Sequence, residues 1–163
     1  MDGFGPHKMV ENGSQEPLKN HPKKPFNFKS DFYRFCNHIF SWSTCKNISK
    51  TIDFYCSVLG TTAVEFVPPT GGAVRKSLHF GTQKINLHDA ASPYVPHAKA
   101  PQAGSVDLCF ISAQPLDEWQ IHLAHHGVSV EDGPVRKTGA NGALMSLYIR
   151  DPDGNLIEIS NYI

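Results

Sequence analysis

A single carboxylate near the end of the chain, Glu158, is the side chain best placed by its surroundings to do chemistry. It follows the turn Asp-Pro-Asp-Gly-Asn at residues 151–155, where proline, glycine and asparagine favour a reversal of the chain. Alternation along the next strand places Glu158 on the face opposite Ile157 and Ile159. A lone strand glutamate is most often a solvated outer-face residue, because Glu is rarely buried unpaired. The alternative is that Glu158 points into a cavity and binds a cation.

Composition limits the partners that such a site would serve. The chain of 163 residues balances 15 Lys and Arg against 15 Asp and Glu, so no net field attracts nucleic acid or an anionic membrane. We therefore expect a small-molecule ligand, with no nucleic acid and no membrane as partner. The chain has no long apolar run for a membrane helix, no signal-peptide core and no CxxC pair among its four cysteines. These features predict free thiols and a cytoplasmic protein.

Residues 1–32 differ in composition from the rest of the chain. They are rich in Gly, Pro, Asn and Lys and show no sustained hydrophobic period, so they cannot bury enough apolar surface to offset the entropy of ordering. We predict a disordered N-terminal arm over residues 1–32 and one folded domain over residues 33–163. That length allows a single domain, or two small repeats that share a core.

The folded part begins with a strand, a helix and three more strands. Residues 34–42 form an aromatic-rich strand candidate. An apolar helical stripe then runs from Ile48 to Leu59, with Asn47 or Ser49 as its N-cap and Gly60 just past its end. The further strands are predicted at residues 62–67, 73–80 and 83–88, the last two joined by the tight turn Gly81-Thr82.

The same order then repeats after a proline-rich connector over residues 90–104. A helix is predicted over residues 114–126, because Pro115 stands at its start and Gly127 just past its end. The strands of this half are predicted at residues 106–111, 128–130, 143–150 and 156–159, with a loop at residues 131–142. The sequence therefore predicts an α+β protein made of two βαβββ modules, residues 33–90 and 105–163.

Five stretches are informative when taken together: NHIF in the first strand, IDFYCSVLG in the first helix, FGTQKINLHD, GSVDLCF and the terminal DPDGNLIEISNYI. In these stretches the sequence resembles the vicinal oxygen chelate superfamily, which includes glyoxalase I, bleomycin resistance proteins and extradiol dioxygenases. The resemblance covers residues 34–163. It implies that the sheets of the two βαβββ modules curl into an incomplete barrel around a divalent ion, and that the chain forms a homodimer as relatives often do.

The resemblance also implies a set of metal ligands, since family ligands lie on the first and last strands of each module. By position they match His38, His88, Asp107 and Glu158, with Asn86 as the alternative to His88 on the same strand face. Neutral imidazole is the stronger donor and favours His88. Relatives commonly carry His where this chain has Asp107. Aspartate suits Mg²⁺ or Mn²⁺ better than zinc, so the implied ion is Mn, Mg, Ni or Zn.

Each proposed ligand also has an ordinary structural interpretation. His38 could be a half-buried structural histidine, and the strand after it is more polar and about two residues longer than in the family, so a register slip would turn His38 outward. His88 could be a hydrogen-bonded surface residue beside Asp89. Asp107 could form a salt bridge or lie exposed at a sheet edge, although a carboxylate between apolar strand residues is costly unless it is paired.

The resemblance implies a metal-dependent lyase or isomerase acting on a small oxygen-chelating molecule. In that interpretation the ion stabilises an anion such as an enediolate, and Glu158 is the catalytic group that moves the proton. Arg136 and Lys137, in the predicted loop, form a cationic lid over an anionic substrate. Two alternatives remain open: a metal-free ligand-binding module of the bleomycin-resistance type, and an inactive homodimeric scaffold.

Overall fold

The order of secondary-structure elements is βαβββ twice, as the sequence predicts. The computed structural model describes residues 40–163, with only the backbone of Phe40. The first module contains β1 (Phe40–Cys45), α1 (Ile48–Val58), β2 (Thr62–Phe66), β3 (Arg75–Phe80) and β4 (Gln83–Asp89). The second contains β5 (Asp107–Ile111), α2 (Leu116–His125), β6 (Asp132–Gly139), β7 (Gly142–Arg150) and β8 (Leu156–Tyr162). The predicted arm at residues 1–32 and the proposed ligand His38 lie outside the described residues.

Each module forms its own four-stranded sheet. The strand orders are β1-β4-β3-β2 and β5-β8-β7-β6. In both sheets the first strand pairs in parallel with the last, and the other neighbours pair antiparallel. The described residues therefore form two curled sheets and no closed barrel, which confirms the predicted α+β class. The module limits at residues 33–90 and 105–163 remain predictions.

Helix α1 begins and ends where the sequence signals place it. The Asn47 side chain accepts a hydrogen bond of 3.0 Å from the backbone N–H of Lys50, which caps the first turn. Gly60 follows the helix with a φ of 67°, a left-handed conformation that glycine adopts without a Cβ clash. Tyr55 and Leu59, from the predicted apolar stripe, are fully buried.

Four predictions of the extent of an element are wrong by three residues or more. Strand β8 extends beyond the predicted end at residue 159 to Tyr162. Strand β1 extends beyond the predicted end at residue 42 to Cys45. Residues 128–130 are not a strand, because the backbone N–H of Val128 donates to Leu123 O and these residues complete the end of α2. Residues 131–142 are not a loop, since β6 (132–139) pairs with β7 through a bulge between Asp132 and Val135. The glycines and proline of this segment obscured its alternation in the sequence.

One face of each sheet packs into a shared apolar core with the two helices. The cluster includes Leu78 and Ile85 of the first sheet, Ile157 and Ile159 of the second, and Trp119 of α2. Since strand side chains alternate, the residues between these positions lie on the opposite faces of the sheets. Those opposite faces carry Asn86, His88 and Glu158 and are the surfaces on which a site can form. Within residues 40–163, no helix has the length and apolar character needed to cross a membrane.

The turn at residues 151–155 joins the second module to helix α1 of the first. The buried Asp151 carboxylate accepts hydrogen bonds from the Tyr55 hydroxyl at 3.1 Å and the Asn155 side-chain amide at 2.7 Å. Asp153 accepts from the Lys46 backbone N–H at 2.9 Å, just before the helix. An anionic group is favourable there because the N-terminal end of a helix carries partial positive charge. The terminal motif is therefore a structural joint as well as the start of β8.

Two buried acidic protons near this joint predict a loss of stability at alkaline pH. Burial raises the pKa of the Cys45 thiol from 9.0 to about 11, and burial followed by the charge of Asp151 raises the pKa of Tyr55 well above 10.0. Because the folded pKa values exceed the unfolded ones, their stabilising effect is complete below about pH 9 and declines as the pH rises.

Urea unfolding at about pH 7.5 and about pH 10.5 measures this loss of stability. The free energy of unfolding should fall between the two conditions, and Cys45→Ala should make the fall smaller. Equal stability at both pH values would contradict the assignment of these buried protons.

Candidate functional site

The free face of the second sheet forms an open cavity of about 480 Å³. This size lies within the usual range for small-molecule sites. Four strands contribute to it, and we call it the cup. Its lining residues are Cys109 and Ile111 of β5, Lys137, Thr138 and Gly139 of β6, Ala140, Leu144 and Tyr148 of β7 and its turn, and Glu158 and Tyr162 of β8.

Two serines hold the Glu158 carboxylate in the cup. Ser146 on β7 donates a hydrogen bond of 2.6 Å to Glu158 Oε1, and Ser160 on β8 donates to the same oxygen at 3.1 Å. The two hydroxyls also lie 2.8 Å apart, and both serines are fully buried. The strand register explains this network, because Ser146 and Ser160 are direct cross-strand partners. The carboxylate is therefore fixed in orientation and partly exposed to the cavity.

A phenol and an ammonium group lie beside the carboxylate. Tyr148 is the cross-strand partner of Glu158, and burial, followed by the hydrogen bond with Glu158, raises the pKa of the phenol to about 12. Tyr148 is thus a protonated hydrogen-bond donor at neutral pH. The Lys137 Nζ atom lies 5.3 Å from the centre of the Tyr148 ring. One wall of the cup therefore presents a carboxylate, a proton donor and a cation together.

The free face of the first sheet holds His88 in a stack of three planar groups. The Tyr94 ring from the connector stacks on the His88 ring, with 3.8 Å between centroids and 22° between planes. Arg75 lies on β3, and its guanidinium carbon is 3.7 Å from the centre of the same Tyr94 ring. His88 is only 2% exposed, yet neither of its ring nitrogens has a hydrogen-bond partner among residues 40–163.

Asn86 lies two residues before His88 on the same face of β4. It is 7% exposed, and its Oδ1 atom also has no hydrogen-bond partner in the part of the chain that the structure describes. Burial, followed by the positive charges of His97 and Arg75, lowers the pKa of His88 below its ordinary value. His88 is therefore a neutral imidazole at physiological pH, the form that binds metals and accepts protons. Buried polar atoms without partners are rare in proteins, so these atoms distinguish this face from the apolar core.

The remaining predicted site residues lie in different surroundings. Asp107 is exposed on β5, and its charge acts on Arg150, which itself forms a bidentate pair with Glu131 at 2.6 and 2.7 Å. Lys137 lines the cup, whereas the adjacent Arg136 is exposed and is not among the lining residues. Both residues lie on strand β6 rather than in the predicted loop. Their role as a lid remains a prediction.

The described residues do not bring a complete metal site together. Among residues 40–163 no group of three or more His, Cys, Asp or Glu side chains is close enough to hold an ion. His88 lies on the free face of the first sheet, whereas Asp107 and Glu158 lie on the second, and His38 is outside the described part. The four-ligand set remains a prediction.

Sequence analysis missed several residues of the site. Ser146 and Tyr148 are polar side chains at alternate positions of β7, a signal that could have placed them on the face of Glu158. Tyr94 has a weaker signal, since it is an aromatic residue within a connector rich in proline and alanine. Its place between Arg75 and His88 depends on the path of the connector, which no local pattern shows.

Comparison with known proteins identifies the family. The family model described as Glyoxalase/Bleomycin resistance protein/Dioxygenase superfamily matches residues 36–159. The glyoxalase domain-containing protein RDO1 of Mycosarcoma maydis is 50% identical over 119 residues, which are 73% of this chain and 64% of RDO1. The virulence protein STM3117 of Salmonella typhimurium is 50% identical over 120 residues, which are 74% of this chain and 80% of that protein.

Solved structures share the fold. The crystal structure of STM3117 matches with a TM-score of 0.70 at 46% identity and covers 80% of this chain and 98% of that one. The antibiotic binding protein TnmS3 from a Streptomyces species matches with a TM-score of 0.58 at 20% identity, covering 80% of this chain and 99% of that one, which shows the fold alone. This chain belongs to the Glyoxalase/Bleomycin resistance protein/Dioxygenase superfamily, also called the vicinal oxygen chelate superfamily.

Proposed function

We propose that this chain binds a small, oxygen-rich molecule in the cup and moves a proton on it, a lyase or isomerase reaction with Glu158 as the catalytic group. The observation that carries the proposal is the fixed Glu158 carboxylate, which Ser146 and Ser160 orient at the wall of a cavity of about 480 Å³. A general base must be held within reach of the proton that it abstracts. The serines achieve this by fixing one oxygen of the carboxylate.

The neighbouring groups suit the charge that such a reaction develops. Removal of a proton beside a carbonyl leaves negative charge on oxygen, as in an enediolate. Tyr148 is hydrogen-bonded to Glu158, and once Glu158 has taken up the proton the phenol can donate its O–H to this oxygen instead. Lys137 supplies positive charge, and both residues line the cavity with Glu158. Oriented donors and charges that face the developing anion lower the barrier, because they need no reorganisation during the reaction. The cup thus contains a base and two groups that stabilise its product.

A divalent ion is the second candidate, with His38, His88, Asp107 and Glu158 as ligands. The two unpartnered nitrogens of His88 favour it, and these donor types suit Mn²⁺, Mg²⁺, Ni²⁺ or Zn²⁺. The described side chains do not fit a single ion, however, because no three of the relevant types come together among residues 40–163. No step of the mechanism above therefore uses a metal.

Thermal unfolding with added ions distinguishes these two forms of the proposal. Binding of Mn²⁺, Ni²⁺ or Zn²⁺ to the folded state at about 100 times its Kd would stabilise the protein by about 2.7 kcal/mol. A rise in Tm with one ion that His88→Gln and Glu158→Gln both reduce supports a metal-dependent enzyme. An unchanged Tm with all three ions supports proton transfer by the side chains alone.

The cationic wall of the cup gives a direct test of ligand binding. Lys137→Met should raise the KM for the anionic hemithioacetal of methylglyoxal and glutathione by about 2- to 5-fold, the effect of one exposed charge pair. Arg136→Met is the matched control, because Arg136 is the next residue on β6 but does not line the cavity. Equal effects of the two substitutions would contradict the position of the substrate in the cup.

A metal-free binding module is the third candidate. The antibiotic binding protein TnmS3 has this fold, and Trp42 on the first sheet is 52% exposed and can contact an apolar ligand.

A homodimeric scaffold without activity is a further form of this proposal. Light scattering after size-exclusion chromatography measures the mass of the particle in solution and so distinguishes a dimer from a monomer. Among residues 40–163, Cys45, Cys56 and Cys109 form no disulfide bond with one another, and we propose a reducing, cytoplasmic location on this basis.

Within the superfamily, KINLHD, VEDGPVRKTGANGA and RDPDGNLIEISNY look nearly the same as stretches of the vertebrate glyoxalase domain-containing protein 5. We propose that the chain is most similar to that protein. The similarity of these stretches does not indicate a substrate.

A further inference from the structure

The stack on the first sheet has a geometry that protein sites use to bind planar ligands. The Tyr94 ring lies between a guanidinium group at 3.7 Å and an imidazole ring at 3.8 Å. Arg75 and His88 come from strands β3 and β4, whereas Tyr94 comes from the connector. A flat aromatic group gains stacking contacts on the imidazole side and cation–π attraction on the guanidinium side. The first sheet therefore supplies the two side chains, Arg75 and His88, that form the walls of a slot. The connector supplies the Tyr94 ring that occupies this slot.

The polar atoms around the slot are not satisfied by that occupant. Both His88 ring nitrogens and Asn86 Oδ1 are buried, and no described residue forms a hydrogen bond with them. A buried donor or acceptor without a partner loses its hydrogen bonds to water and gains no protein hydrogen bond in exchange, which is destabilising. The Tyr94 ring covers the face of His88 but forms no hydrogen bond with its nitrogens. Tyr94 therefore occupies the space of the slot but does not form hydrogen bonds with the polar atoms around it.

The connector is a segment that can move without breaking a sheet. Residues 90–106 contain no helix or strand. A backbone without ladder hydrogen bonds opens at lower free energy than the strands beside it. Arg75 also reaches the connector through a long 3.5 Å hydrogen bond to the Val95 carbonyl. Tyr94 can therefore leave the slot while Arg75 and His88 remain held by β3 and β4.

We propose that the slot between Arg75 and His88 is a binding site for a planar aromatic ligand that carries an N–H or O–H donor, and that Tyr94 occupies it as a displaceable internal stand-in. The ligand stacks where Tyr94 stacks now. Its donor group reaches Asn86 Oδ1 or a ring nitrogen of His88, the buried polar atoms of this sheet face. This site is on the first sheet, separate from the cup around Glu158.

Nicotinamide is a suitable probe, because it is a flat ring with both amide N–H groups and a carbonyl. Methyl nicotinate is its matched control, since the ester keeps the ring and the carbonyl but has no N–H donor. Calorimetric titration should show that Tyr94→Ala binds nicotinamide at least about 10-fold more tightly than the unsubstituted protein, because the internal competitor is gone. Methyl nicotinate should bind the same variant about 5-fold or more weakly, through the lost hydrogen bond.

Further variants show whether binding occurs in the slot. His88→Leu and Arg75→Leu, each combined with Tyr94→Ala, should abolish the gain, whereas Val95→Ala should leave the affinity of the unsubstituted protein unchanged. Val95 is the next connector residue and its side chain is 74% exposed. If Tyr94→Ala does not fold by circular dichroism, Tyr94→Leu replaces it, because leucine retains bulk without a flat face.

Two results would overturn the proposal: no gain in affinity in a folded Tyr94 variant, or a gain that persists without His88. Glu158→Gln should not alter nicotinamide binding. Failure of the slot is therefore distinguishable from failure of the function proposed for the cup.

Discussion

Replacement of Glu158 by glutamine is expected to lower kcat for the hemithioacetal of methylglyoxal and glutathione by about 10²- to 10⁴-fold, the usual contribution of a general acid–base group. Glutamine has nearly the same shape, and its amide oxygen can still accept the hydrogen bonds from Ser146 and Ser160. It cannot take up a proton. The substitution therefore removes the chemistry and keeps the cup, so KM should change much less than kcat.

Glu131→Gln is the matched control for this experiment. Glu131 is an exposed glutamate that pairs with Arg150 outside the cup, so its substitution should leave both kcat and KM nearly unchanged. Initial rates with the purified variants measure both constants. Full activity of Glu158→Gln would show that Glu158 is not the catalytic group. Absence of turnover by the unsubstituted protein, with binding retained, would favour the metal-free binding module.

Residues that obey a local rule could be predicted from the sequence. Asn47 and Gly60 bound helix α1 because capping depends only on neighbouring residues. The alternation of Ile157, Glu158 and Ile159 is correct for the same reason, since side chains on a strand point to opposite faces. The repeated order of elements then follows from the hydrophobic pattern and the positions of glycine and proline.

Features that depend on contacts distant in sequence could not be predicted in this way. Strand β6 forms because β7 pairs with it across a bulge, and its own glycines and proline hide the period of two. The hydrogen bonds of Glu158 require the register between β7 and β8. Tyr94 contacts Arg75 across a separation of 19 residues, and no local pattern specifies the path of the connector. The hydrogen bonds that orient the site therefore depend on contacts between strands, which the local sequence pattern does not specify.

Replacement of Asp151 by alanine is expected to lower the free energy of unfolding by about 3 to 5 kcal/mol, the range for loss of a buried polar network. The carboxylate is 6% exposed and accepts four hydrogen bonds. Its loss leaves the buried Tyr55 hydroxyl and the Asn155 side-chain amide without an acceptor, and each such group costs about 1 to 3 kcal/mol. The substitution also removes the hydrogen bond between Tyr55 of helix α1 and the second module, although Asp153 still accepts from Lys46 and Thr51.

Asparagine at the same position separates shape from hydrogen bonding. Asp151→Asn keeps one oxygen for the backbone N–H groups of Asp153 and Asn155, but places an amide donor where Oδ2 now faces the donors of Tyr55 and Asn155. It should therefore also destabilise, by about 2 to 4 kcal/mol. Asp53→Ala is the control, because Asp53 is exposed on α1 and should change stability by less than about 0.5 kcal/mol. Urea unfolding measures all three variants, and stability of Asp151→Ala equal to that of Asp53→Ala would show that the turn does not hold the two modules together.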